Sequence, residues 1–227
     1  MTATSPRLIA ALLCLCLIVA GAASLAQTDW RSDHLDPADA GGPRRLQVKA
    51  DDTPLFHTPS DSARTDERLP RAALLANLGC GAQGAQLWCR VAPLGGGAAG
   101  FVHAADVAPA AGPDGRIVTG ADDSRARARR RDFDATDQIA CAQNPGDRLG
   151  TCLASVARSG GGDAAVVVTF PNSFARALWF TNGEFMRANT TMSGVGTDTE
   201  WTLEQGVFSI RVDDQRFAVP RDFVLGE

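Results

Sequence analysis

Six cysteines and three histidines are the residues of this 227-residue chain whose types most readily support nucleophilic or metal chemistry. Cys80 and Cys89 flank a Gly/Gln-rich turn in LGCGAQGAQLWCRV, with Trp88 directly before the second. Cys141 and Cys152 flank AQNPGDRLGT, and Cys14 and Cys16 lie in an apolar N-terminal run. A zinc site calls for CxxC or mixed Cys/His spacing, which neither later pair has. A thiol nucleophile needs a base such as imidazole within reach. The histidines are His34, His57 and His103, and none follows residue 103. The C-terminal part therefore has no Cys/His or Ser/His machinery of its own and no histidine-ligated metal. GxSxG, HExxH and a phosphate-cradling glycine loop are absent, and Gly160-Gly161-Gly162-Asp163 reads as a hairpin loop. Two carboxylates brought together by folding leave no sequence trace, so a carboxylate-dependent hydrolase stands as an alternative. No catalytic residue, metal ligand or cofactor is assigned.

The cysteines read instead as staples. The opening MTATSPRLIAALLCLCLIVAGAASLAQ has Arg7, an apolar run from Leu8, and Ser24 and Ala26 at signal-peptidase spacing. Residues 1–26 are expected to be a signal peptide, not an anchor helix. Gly21 and Ser24 break the run, and polar TDWRSD follows it in place of a basic flank. Cys14 and Cys16 leave with that segment. The remaining four cysteines pair most simply as Cys80 with Cys89 and Cys141 with Cys152, one staple per unit. A single lysine and no tyrosine beside abundant Ala, Gly and Arg point to a bacterial chain, periplasmic or secreted. The net charge of −4 argues against nucleic acid as partner, because phosphate binding needs clustered positive charge. After signal cleavage no second long apolar segment is left to enter a membrane.

The elements that must carry these residues are strands. Residues 27–45 are polar and aperiodic and read as a disordered lead-in. LQV, LLANL, LWCRVAP and AAGFVHAADV form a small all-β unit over residues 46–110. Residues 111–132, with five arginines from Arg125 to Arg131, read as an Arg-rich linker. Its charge could draw it to anionic lipid or wall polymer, but a solvated linker is the simpler expectation. From residue 133 to 227 strand-length runs return, joined by SGGGD, PNS, Asn182-Gly183, EQG and Asp213-Asp214. Asn-Gly is the strongest of these hairpin signals, because both turn residues of a type I′ turn need positive φ. Phe208, Ile210 and Val212 alternate with Ser209 and Arg211, as a half-buried antiparallel strand requires. The fold class expected is all-β: a small barrel followed by a second antiparallel β-sheet domain, barrel or sandwich.

Residues 46–110 resemble the bacterial SH3-like domain in their opening LQV, long first loop, LLANLGC, WCRV, Gly-rich turn from Pro93 to Ala99, and closing GFVHAADV. The C-terminal unit resembles uncharacterised disulfide-bearing β domains that follow such modules in exported bacterial proteins. Strand alternation turns Leu87, Cys89, Val91 and Val102 inward and Trp88, Arg90, Phe101 and His103 outward. The resemblance implies a ligand groove lined by the tryptophan of this strand. Trp88, Phe101 and His103, with Phe56 from the first loop, are the candidate ligand-binding residues. The competing reading has Trp88 packing over the Cys80–Cys89 bridge. His57 reads as a solvated loop residue. The implied function is a non-enzymatic exported binding module for cell-wall peptide or an envelope protein. The alternatives are an inhibitor of an envelope hydrolase and a carboxylate-dependent cell-wall hydrolase.

Overall fold

A computed structural model describes residues 36–190, 196 and 198–227. The signal peptide expected over residues 1–26, and the lead-in as far as residue 35, lie outside the described residues.

The chain is all-β, with two antiparallel sheets and only short helices. The first sheet contains β1 (Arg45–Val48), β2 (Thr53–Phe56), β3 (Arg64–Leu69), β4 (Leu74–Gln83), β5 (Gln86–Pro93), β6 (Gly100–His103) and β7 (Val107–Pro109), in the order β3-β2-β6-β5-β4-β1-β7. Its core is Leu46, Val48, Leu55, Leu69, Leu75, Cys89, Val91, Val102 and Val107. These residues come from strands far apart in sequence, which is why alternation along each strand decides what is inside.

The second sheet is an eight-stranded meander. It contains β8 (Ala135–Ala142), β9 (Gly150–Gly160), β10 (Asp163–Thr169), β11 (Ala175–Thr181), β12 (Glu184–Ala188), β13 (Thr199–Glu204), β14 (Val207–Val212) and β15 (Gln215–Pro220). Strand order is β12-β11-β10-β9-β8-β15-β14-β13, so the last strand returns to the first through Phe217 opposite Cys141. This return curls the sheet around one apolar core, which includes Val156, Val166, Leu178, Phe180, Phe208, Ile210 and Phe217. Asn182 and Gly183 form the β11–β12 turn at φ 54° and 78°, as type I′ geometry requires. Phe208, Ile210 and Val212 are buried while Ser209 is exposed.

Two segments differ from the sequence reading. Residues 36–45 are not a disordered lead-in: they form a turn of 3-10 helix at Ala38–Ala40 and enter β1 at Arg45. Buried Asn77 holds this segment, donating from Nδ2 to the carbonyls of Asp36 at 2.6 Å and Pro43 at 2.8 Å. A polar stretch with no period can still be ordered when a buried amide satisfies its carbonyls.

Residues 111–132 are likewise not a bare linker. Helix α1 (Ser124–Arg129) packs on β9 and β10. Arg127 donates to the carboxylates of Asp132 and Asp134 and, at 2.7 Å, to the carbonyl of Arg158. Arg127 turns to these acceptors while Arg129, Arg130 and Arg131 stay exposed, a division that the linear sequence does not display.

Candidate functional site

The β5–β6 ladder places Trp88 opposite His103 and Arg90 opposite Phe101, while β2 meets β6 at Phe56 and Phe101. Three of the four candidate side chains come together on the face away from the barrel core. The rings of Phe56 and Trp88 meet edge to face with centroids 5.0 Å apart; those of Trp88 and His103 are 3.9 Å apart, and those of Phe56 and His103 are 5.6 Å apart. Phe101, opposite Phe56 and Arg90 in the ladder, is half-buried. Gly100 permits the close approach of β6 to β2, since a Cβ there would sit 2.7 Å from Leu55 Cγ and 2.8 Å from the Phe56 carbonyl.

The aromatic group is closed rather than open. Trp88 is 2% exposed and Phe56 1% exposed, so neither presents a ring face to solvent. The outward direction expected for Trp88 is therefore combined with burial. Small barrels have little interior, and outer aromatics gain most by covering one another. Cys89, next to Trp88, points into the barrel core, while the Trp88 ring meets the rings of Phe56 and His103.

What remains accessible is a polar rim. His103 Nε2 lies 3.0 Å from Asp61 Oδ1, and Gln86 Nε2 donates to Asp61 Oδ2 at 3.3 Å. Asp61 begins a 3-10 turn over Asp61–Ala63, which brings the first loop across the aromatic group. Arg64 stands 5.6 Å from the centroid of the Phe56 ring. Asp61, Gln86 and Arg64 escaped the sequence reading, because nothing in TPSDSAR marks which acid meets the histidine. His57 is exposed in the same loop, its amide bonded to the Ala63 carbonyl.

Both staples form as paired from the sequence. Cys80 and Cys89 are direct cross-strand partners on β4 and β5 with Cα atoms 3.9 Å apart, and Cys141 joins Cys152 across β8 and β9 at 5.9 Å. Among the described residues no group of three or more His, Cys, Asp or Glu side chains could hold a metal. Nor does any described thiol or hydroxyl hydrogen-bond to His103, whose partner is a carboxylate.

On the second sheet a groove of about 570 Å³ is lined by Leu149, Trp201, Arg211 and Arg216, among others. Trp201 and Leu203, on the edge strand β13, are 38% and 41% exposed. Arg211 there donates to Asp198 and Glu200, and its hydrogen bond holds the Asp198 carboxyl below the ordinary carboxylate range. The two disulfides mark an oxidising, non-cytoplasmic compartment. Among the described residues no helix is long and apolar enough to cross a membrane. No family model, curated protein or solved structure matches the chain.

Proposed function

We propose that the chain is an exported, non-enzymatic binding protein whose first sheet is an SH3-like module that contacts cell-wall peptide or an envelope protein. The SH3-like reading is supported by a long first loop folded as the β2–β3 hairpin, and by a closing Gly-Phe-Val strand followed by a 3-10 turn at Ala104–Asp106. The observation that carries the binding reading is the gathering of Phe56, Trp88 and His103 from β2, β5 and β6 onto one outer face with a polar rim. The rings of Phe56 and Trp88 form the floor, and the contact itself falls to His103, Phe101 and Asp61. Such a rim offers hydrogen bonds from a fixed ring beside a half-exposed apolar one, the combination that orients a peptide on a shallow surface.

Retention of the disulfide-bonded chain on purified peptidoglycan, and its capture of proteins from envelope extract, test this reading. The double substitution Phe101→Ala with His103→Ala is expected to lower the retention of folded protein on one of these at least fivefold, with a smaller fall in melting temperature than Trp88→Ala. Undiminished retention on both, or release of soluble fragments from peptidoglycan by the wild-type chain, would overturn it.

A further inference from the structure

Among the described residues, Arg125 is the one buried or half-buried arginine without a hydrogen-bond acceptor. Arg44 and Arg45 donate to Asp163, Arg127 to Asp132 and Asp134, Arg158 to carbonyls of the last helix, Arg176 to Gln215, and Arg211 to Asp198. Arg216 and Arg221 have acceptors too. Arg125 instead lies over the indole of Trp179, its Cζ 4.5 Å from the ring centroid. Arg187, the cross-strand partner of Trp179 on β12, places its own Cζ 4.7 Å from that ring. No acceptor for Arg187 is found among the described residues.

Two guanidinium groups that share one aromatic ring repel each other, and among the described residues no carboxylate pairs with either. Burial and then the nearby Arg187 push the Arg125 guanidinium below its ordinary value, with Asp122 and Asp163 opposing from farther away. Leu178 and Phe180, the neighbours of Trp179, point into the core, so Trp179 stands on the outer face of β11. Arg129, Arg130 and Arg131 are exposed close by in sequence. In a chain of net charge −4, this is a local concentration of positive charge around a fixed platform.

We propose that Arg125 and Arg187, held by Trp179, form a binding site for a phosphate group. The ring orients both forks, and the N–H donors of half-buried Arg125 and exposed Arg187, with no acceptor among the described residues, are open to a ligand. A carboxylate offers two oxygens, which one guanidinium fork already occupies. A phosphate monoester offers three terminal oxygens and close to two negative charges, enough to bridge both arginines and relieve their repulsion. The recognised element is the phosphate itself. It could belong to a soluble ester or be displayed on an anionic surface.

The test uses the disulfide-bonded chain at constant ionic strength, with inorganic phosphate titrated against chloride. The indole N–H resonance of Trp179, assigned through Trp179→Phe, is the readout. Saturable shifts are expected, and Arg125→Lys combined with Arg187→Lys, which keeps both charges but removes the forks, should weaken binding at least tenfold. The triple substitution of Arg129, Arg130 and Arg131 by Gln should weaken it less than threefold. A second arm uses phosphatidylcholine vesicles with and without phosphatidic acid. Binding to the phosphatidic acid vesicles far tighter than to free phosphate identifies a surface as the source, and comparable binding identifies a soluble one. Absence of a saturable response in both arms, or equal weakening by the triple and double variants, would overturn the proposal.

Discussion

Arg45 and Asp163, 118 positions apart, form an ion pair at 2.6 Å in which the arginine side chain is 2% and the carboxylate 1% exposed. Asp163 also accepts from Arg44 at 2.6 Å and from the Asn182 amide at 3.0 Å, while Arg45 donates onward to the Gly161 carbonyl. The first strand of one sheet is thereby tied to the β9–β10 turn of the other. Gly161 and Gly162, at φ 59° and 80°, let that turn come so close. Asp163→Asn leaves two arginines facing a neutral amide. Removal of one partner of a buried pair costs about 3–5 kcal/mol, a fall in melting temperature of about 10 °C for a chain of this size. Thermal unfolding of this variant beside the exposed-site control Asp214→Asn checks it, and an unchanged midpoint would sink the claim.

Acid should loosen the protein through a second set of pairs. Hydrogen bonds from Arg127 hold Asp132 and Asp134 below the ordinary carboxylate range, and Arg211 does the same for Asp198. A depressed folded-state pKa contributes stability that is complete above the unfolded value near 4 and is lost as the pH falls through the folded value. The melting temperature should therefore decline below about pH 4. The double variant Arg127→Gln, Arg211→Gln should lie below wild type at pH 7 and converge with it towards pH 2. Parallel curves over that range would contradict the assignment.

Each disulfide closes a short loop, with sequence separations of 9 and 11. Loop-closure entropy assigns roughly 2–3 kcal/mol to each. Paired replacement of Cys80 and Cys89, or of Cys141 and Cys152, by Ala should lower stability by that amount, measured by urea unfolding. Peptide mapping of the oxidised chain should show these two links; a Cys80–Cys141 link would refute the pairing.

Where short-range patterns decide structure, the sequence was sufficient. Asn182-Gly183 announced a hairpin because positive φ at two adjacent residues is a local demand, and Phe208, Ile210 and Val212 announced an inner face because alternation is local too. The cysteine pairing was legible because each pair spans one turn. The order of residues 36–45 and 111–132 is not legible in the sequence because it comes from partners distant in the chain: Asn77 for the first, and the β9 and Trp179 contacts for the second. The run from Arg125 to Arg131 resembles a solvated linker until the acids beside Arg127 and the indole beside Arg125 are in place. At the candidate site, alternation gave the direction of Trp88 but not its burial, since that depends on Phe56 arriving from a non-adjacent strand.

The burial of Trp88 sets the outcome of its replacement. With 2% of its surface exposed and its ring packed on Phe56 and His103, Trp88→Ala removes a large side chain from a filled space. Substitutions of this kind cost about 3–5 kcal/mol, the sum of lost transfer energy and the cavity left behind. The melting temperature should fall accordingly, and Trp88→Phe should fall less because a ring still meets Phe56. His103→Ala should cost less than Trp88→Ala, since its partly exposed ring gives up the outer contacts with Trp88 and Phe56 and the pairing with exposed Asp61. Because Cys89 faces the opposite side of β5, reduction of the Cys80–Cys89 bridge in Trp88→Ala should accelerate only as far as global unfolding does. Thermal unfolding and thiol-exchange rates measured on the three variants distinguish a closed aromatic floor from an open groove. A Trp88→Ala protein with wild-type stability and lost retention on peptidoglycan or envelope extract would show that the ring is the ligand contact itself.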